Sequence, residues 1–330
     1  MGVVNYKALL DSEVLAFVDR MNALYTDKAA GLPMPERRAL YKRMCRAFEV
    51  DRPAGVRVRT FSLATANGAL PVRTYRHGAA TAVLPTVLYF HGGGFTLGDL
   101  DSHGDFCAEL CALTRYSVVS VAYRLAPEHR HPAAFNDAIA AFEWLAGTAG
   151  GPIVLAGDSA GGNLAASAAL HVCHHAKPPA GLVLVYPLLG GDRTQGSYLH
   201  HAHAPLLSTQ DVADCLASLT GGPYDSQDIR CMPLAATDYT DLPETFIATA
   251  ECDPLSSDGK VFCERLLAAG GKAVCFNEPG LVHGYLRARH MSARAMQAFK
   301  RVVDSVFAIG NRAMLVPATE WKSRRLDLPR

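Results

Sequence analysis

The chain has 330 residues, 49% of them hydrophobic and 19% charged, enough to bury one large core or a core with a smaller appended module. A formal net charge of +1 removes any electrostatic reason to expect nucleic acid or an anionic membrane as partner. No apolar run reaches the roughly 18 residues of a membrane span, and the apolar and aromatic residues are too evenly spread for wholesale disorder.

The N-terminus, MGVVNYKALLDSEVLAF, lacks the basic start, long apolar stretch and small-residue cleavage site of a signal peptide. Tyr6 stands where a myristoylation signal needs Ser or Thr. Nine cysteines without a CxxC pair read as reduced, packed thiols, which points to the cytoplasm.

Residues 1–50 are predicted helical, with Leu9, Val14, Phe17, Val18 and Met21 at helical spacing. Val56 to Leu63 and Pro71 to Tyr75 then alternate like a hairpin at a sheet edge. Leu84–Phe90, Ser117–Ala122, Pro152–Ala156, Leu182–Tyr186, Glu244–Ala250 and Lys272–Phe276 are short, continuous apolar runs. Runs of that kind suit strands buried on both faces of a mostly parallel sheet. Helical stretches at 103–115, 133–147, 160–175, 257–269 and 291–308 separate them, and the alternation is that of a doubly wound α/β domain. Residues 1–50 and 188–240 break the rhythm. Either they are a decorative arm and a long excursion, or together they form a lid. The lid is favoured because loops at the C-terminal ends of strands surround α/β active sites.

Gly157-Asp158-Ser159-Ala160-Gly161 matches G-x-S-x-G, follows the strand Pro152–Ala156 and leads into the helical GGNLAASAALHVC. A serine on so sharp a strand-to-helix turn needs small neighbours, and the turn lifts its Oγ above the sheet. The helix N-terminus beneath offers N–H groups and a positive dipole end to an oxyanion. His91-Gly92-Gly93-Gly94-Phe95 ends the strand Leu84–Phe90. It is either a plain glycine turn or a loop whose amides approach a substrate carbonyl with no side chain in the way.

The pairing of HGGGF with GDSAGGN closely resembles the hormone-sensitive-lipase-like carboxylesterases, in their bacterial GDSAGG subgroup. Tyr123-Arg124-Leu125-Ala126-Pro127-Glu128, Tyr186-Pro187 and Asp253-Pro254-Leu255 fit the same family, over roughly residues 55–310. The resemblance implies an α/β-hydrolase fold with an eight-stranded, mostly parallel sheet, helices on both faces and a helical cap. The cap would comprise helices in 1–50 and an insertion at 188–240, the core would run through 51–187 and 241–317, and 318–330 would be a solvated tail. It also implies an oxyanion hole from amides of Gly92, Gly93 and Gly94, two of which donate, plus that of Ala160. His91 would hold the loop in place rather than act as a base. A homodimer is the one macromolecular assembly the resemblance suggests.

In the chain order Ser, acid, His, the base lies downstream of Ser159. His171, His174 and His175 lie on or at the end of a helix, and His200, His201 and His203 in the cap. Neither cluster brings carboxylates or thiolates at metal-ligand spacing, so no metal is expected. His283 follows a strand and a turn, Asn277 to Val282, and precedes a helix, whereas His290 is too close to that helix. His283-Gly284-Tyr285 also matches the family's histidine motif. Glu251, Asp253 and Asp258 compete as the acid. Asp253 is preferred because Pro254 fixes an extended backbone before it and Asp-Pro-Leu is the family's acid motif. Asp258 is assigned to starting or capping the next helix.

The expectation is a cofactor-free serine carboxylesterase acting on small esters of short to medium acyl chain. The rivals are an amidase or long-chain lipase with the same triad, and a non-catalytic small-molecule receptor of this fold, which would lack the histidine.

Overall fold

The computed structural model describes residues 4–26, 29, 31–78, 84–222, 225–317 and 320. The tail assigned to 318–330 lies outside the described residues, Glu320 excepted.

Strands β1 (Val56–Thr65) and β2 (Gly68–His77) form an antiparallel hairpin. They are followed by β3 (Thr86–Phe90), β4 (Ser117–Val121), β5 (Ile153–Asp158), β6 (Gly181–Val185), β7 (Thr245–Cys252) and β8 (Ala273–Val282). All eight join one sheet in the order β1-β2-β4-β3-β5-β6-β7-β8. β2 pairs antiparallel with β4, and every pairing from β4 to β8 is parallel. Parallel strands need crossovers, and the apolar runs show where those crossovers pack. Along β3, Val87 and Tyr89 face one side while Leu88 and Phe90 face the other, all buried.

The N-terminal segment forms α1 (Tyr6–Leu9), α2 (Ser12–Leu24) and α3 (Met34–Arg46). The crossovers and the long excursion supply α4 (Gly104–Thr114), α5 (Ala133–Thr148), α6 (Ala160–Val172), α7 (Ser197–His200), α8 (Thr209–Thr220), α9 (Ser256–Ala268) and α10 (Ala293–Gly310). The core on the Leu88 side is filled from α5, α6 and α9, for example by Phe142, Leu164 and Phe262. The core on the Val87 side is filled from α4, α10 and α2, by Phe106, Phe299 and Phe17. Asp11 caps α2 by accepting from Val14 N at 2.9 Å, and Ser208 with Asp211 closes a capping box on α8. Among the described residues, no helix is long and apolar enough to cross a membrane. All nine cysteines are free thiols.

One boundary departs from expectation. Residues 277–282, read as a turn from Pro279 and Gly280, continue strand β8 to Val282. A register shift between Ala250 and Cys252 absorbs the irregularity, and Gly280 takes a φ of +63° while its N–H donates to Glu251 Oε2 at 2.7 Å. Glycine and proline here mark a bulge inside a strand rather than its end.

Candidate active site

β5 delivers the chain into the sharp turn the motif requires. Ser159 sits at φ +54° and ψ −120°, a conformation L-residues rarely adopt, and its N–H donates to Val185 O at 2.9 Å on the neighbouring strand. The flanking glycines are dictated by space. A Cβ on Gly157 would stand 2.3 Å from Gly161 O, and one on Gly161 would stand 2.0 Å from Phe90 O. No other residue type fits this crossing of strand, turn and helix.

The turn brings Ser159 beside residues more than ninety positions away. His283 Nε2 lies 2.9 Å from Ser159 Oγ, and His283 Nδ1 lies 2.7 Å from Asp253 Oδ2. A carboxylate only accepts, so Nδ1 carries the proton and Nε2 is left to accept from the serine hydroxyl. Asp253 is fully buried, and its other oxygen accepts from Leu255 N at 2.9 Å, which locks the carboxylate plane.

The competing residues are each engaged elsewhere. Glu251 accepts from Gly280 N, and His290 Nε2 lies 2.7 Å from Glu109 Oε1. Asp258 does not cap α9, whose N-cap is Leu255 without a side-chain bond. Its buried carboxylate instead accepts from Leu189 N at 2.7 Å, Gly191 N at 3.3 Å and the Tyr198 hydroxyl at 3.1 Å, fixing the start of the excursion after β6. Burial pushes the Asp258 carboxyl up to about 7, against the opposing pull of those amides. An acid whose pKa is raised by folding stabilises the fold fully below its unfolded value of 3.8, and that contribution is lost as pH rises towards about 7. Asp258→Asn, which cannot ionise, should therefore lose less melting temperature than the parent between about pH 5 and pH 8. Parallel melting curves against pH would show that Asp258 is ionised throughout.

The glycine loop is held by a residue the sequence did not single out. Asp158, the variable position of G-x-S-x-G, accepts from the Tyr89 hydroxyl at 2.6 Å and from Gly92 N at 2.8 Å, and lies 3.3 Å from His103 Nε2. Burial alone would raise its carboxyl, but His103 and the Tyr89 hydroxyl outweigh it and hold the group well below the usual carboxylate range. Gly92 is thereby withdrawn from the candidate oxyanion hole, because its N–H is already given to Asp158. Gly93 and Gly94 line the cavity above Ser159. The available signal was a charged residue between Gly157 and the nucleophile candidate Ser159, at the end of an apolar strand.

His91 is buried, its Nδ1 lies 2.8 Å from Gly92 O, and its ring stacks on Tyr123 at 4.4 Å. Burial pushes its pKa down to about 4, so it stays neutral and serves as a strut. The YRLAPE segment braces the same loop. The Tyr123 hydroxyl donates to His91 O at 2.7 Å, Arg124 pairs with Asp137 on α5, and Glu128 pairs with Arg38 on α3.

A cavity of about 730 Å³ opens over Ser159 and His283. Both segments that break the strand–helix rhythm reach it, residues 1–50 through Met21, Tyr25 and Tyr41, and the excursion through Leu207 and Val212. Cys215 of α8 lies so close to the glycine loop that a Cβ on Gly94 would meet its Sγ at 2.4 Å.

Among the described residues neither histidine cluster assembles three metal-ligand atoms; His131, Asp228 and Cys231 do, within 4.8 Å of one another. Arg230 and His131 already bond the Asp228 carboxylate, and none of the three lines the cavity.

A mostly parallel eight-stranded sheet, with a serine raised above the turn from its central strand, defines an α/β hydrolase. A family model for the alpha/beta hydrolase fold matches residues 87–287, and the chain belongs to this family, the hormone-sensitive-lipase-like one its motifs resemble. Carboxylesterase NlhH of Mycobacterium tuberculosis is 38% identical over 231 residues, covering 64% of this chain and 72% of its own. Esterase LipI of the same organism is 38% identical over 218 residues, 63% of this chain and 68% of its own. Ester-hydrolase EH1AB1 from the metagenome of Lake Arreo, solved with a derivative of bipyridine phosphonate, superposes with a TM-score of 0.85 at 31% identity, over 92% of this chain and 99% of that one.

Proposed function

We propose that this carboxylic ester hydrolase uses Ser159 as nucleophile, His283 as base and Asp253 as the acid that orients it, on esters of short to medium acyl chain. The observation that carries the reading is the continuous line from Ser159 Oγ through His283 to buried Asp253, at 2.9 and 2.7 Å, beneath a cavity flanked by the glycine loop.

His283 Nε2 takes the hydroxyl proton as Ser159 Oγ attacks the ester carbonyl. The oxyanion falls to the amides of Gly93, Gly94 and Ala160, the last at the N-terminus of α6. Asp253 stabilises the imidazolium without taking its proton. The imidazolium then protonates the leaving alcohol, and water, deprotonated by the same nitrogen, cleaves the acyl-enzyme. One ester and one water give one acid and one alcohol.

Helices from residues 1–50 and the 188–240 insertion act as the cap over the core segments 51–187 and 241–317. That arrangement bounds the acyl chain. Each methylene buried adds about 0.8 kcal/mol until the space is full, after which it clashes. With p-nitrophenyl esters, kcat/KM should peak at an acyl chain of about two to eight carbons and fall steeply beyond. A serine-reactive organophosphate should label Ser159 alone, mapped by peptide mass spectrometry. A label elsewhere, or a preference for long-chain triglyceride emulsions, would overturn the assignment it concerns.

A further inference from the structure

The cavity over Ser159 is lined by three carboxylates and three guanidiniums, and their pairing is uneven. Asp105 pairs with Arg289, which also pairs with Glu109. Asp158 is held by Tyr89, Gly92 and His103, and Asp211 accepts from the N-cap Ser208 of its own helix. Arg287 has no carboxylate in contact with it, and Asp158 and Asp105 reach it only through longer-range attraction. Among the described residues no carboxylate oxygen comes within 4.0 Å of its guanidinium. Its partners are neutral oxygens, Ser102 O at 3.1 Å and the Tyr41 hydroxyl at 3.0 Å, with the Tyr41 ring 5.4 Å below.

Those contacts fix the group without neutralising it. Arg287 sits on a short 3₁₀ turn, Tyr285–Ala288, four residues after His283, and its N–H donates to Gly284 O at 3.1 Å. Its position is therefore tied to that of the proposed base. A guanidinium has five N–H donors and cannot deprotonate, so two contacts leave capacity for a bidentate acceptor. Asp158 and Asp105 act on this charge only from a distance, and each is already bonded to other partners, so the guanidinium keeps its free N–H donors for an incoming anion. Arg37 adds another cation to the cavity wall, its Nε donating to the hydroxyl of Tyr25, whose ring meets Tyr41 edge to face.

We propose that Arg287 is the anion-binding subsite of this cavity, and that the preferred esters carry a carboxylate or similar anionic group at the far end of the acyl or the alcohol part. The inference rests on the esterase reading above and specifies its substrate class. Arg287 is a specificity determinant here and takes no proton in the reaction. A fork-to-fork contact fixes the substrate's distal end, so an uncharged analogue leaves the guanidinium without its partner and is disfavoured.

Two matched pairs test it and separate the two arms. For the acyl arm, the p-nitrophenyl monoester of glutaric acid is compared with that of glutaramic acid; for the alcohol arm, 4-acetoxybenzoate is compared with 4-acetoxybenzamide. The native chain should show kcat/KM at least about tenfold higher for the anion in one pair, falling with added salt. Arg287→Gln should bring that ratio to near unity, and Arg287→Lys should leave it in between, because charge survives and the fork does not. Since each ratio is taken within one variant, a general loss of activity does not affect it, and the native-chain comparison needs no variant to fold. Hydrolysis of both pairs without preference, or a preference kept in Arg287→Gln, would overturn this inference alone. Failure to hydrolyse any of the four esters would overturn the esterase reading and this proposal with it.

Discussion

Replacing Ser159 by alanine is expected to lower kcat for ester hydrolysis by about 10⁴-fold or more while leaving the fold in place. The size of the loss follows from the line of contacts at the site. His283 Nε2 has a hydroxyl 2.9 Å away to deprotonate, and the variant leaves only water, which is neither tethered nor aligned. Stability should be nearly unchanged, since the turn is strained by its φ of +54°, which alanine carries as well as serine does. What alanine could not replace is a bond from Oγ that held the structure together, and the nearest partner of that oxygen is the histidine itself. Melting within about 3 °C of the parent, together with loss of both turnover and organophosphate labelling, is the result to expect. A variant retaining a tenth of the parental kcat would remove Ser159 as nucleophile.

The sequence was most legible where backbone sterics restrict residue choice. Gly157 and Gly161 flank Ser159 because a Cβ at either would strike a backbone carbonyl, and that demand is local enough to read from five letters. The strands read well for a similar reason, since β3, β5 and β6 are buried along their whole length and each carries a continuous apolar run, Val87–Phe90, Ile153–Ala156 and Leu182–Val185. Legibility failed where a residue's partner is remote. Asp158 looked like a free position in its motif, yet it engages Gly92, sixty-six positions earlier, and so occupies one of the glycine amides proposed for an oxyanion. Asp258 had the placement of a helix cap and instead braces the backbone at Leu189 and Gly191. The end of β8 was hidden because Pro279 and Gly280 carry the same letters in a bulge as in a turn. Choosing Asp253 over Glu251 needed the family motif, since nothing local shows that Glu251 is taken by Gly280. Arg287 gave no signal at all. Its interest lies in having no carboxylate in contact, which only the assembled cavity reveals.

Gly161→Ala should be the most damaging methyl group that can be added to this chain. The glycine lies in the first turn of α6, where the helix passes so close to the end of β3 that the new Cβ would stand 2.0 Å from Phe90 O and 2.6 Å from His91 O. Real carbon–oxygen contacts need more than 3 Å, so strand and helix must separate by about 1 Å or more, and both obstacles are backbone. Neither can swing aside as a flexible side chain could. The expected cost exceeds about 3 kcal/mol, at the upper end for overpacking, and most of the protein should be recovered insoluble. Any fraction that folds has its Phe90–His91 segment displaced, and with it the Gly92 N–H that Asp158 holds at 2.8 Å and the amides of Gly93 and Gly94 beyond it. Loss of one well-placed oxyanion donor typically costs about 10²–10³ in rate, so kcat should drop even where secondary structure survives. Gly147→Ala is the matched control, because it lies in α5 with nothing within 4 Å of the new Cβ. There the methyl group should raise stability by up to about 1 kcal/mol, through lower chain entropy in the unfolded state and better helix propensity. Urea midpoints and kcat measured on both variants read the contrast directly. A Gly161→Ala protein with the parent's midpoint and rate would mean that the turn has room to spare, and that the approach of α6 to β3 is not what places the glycine loop.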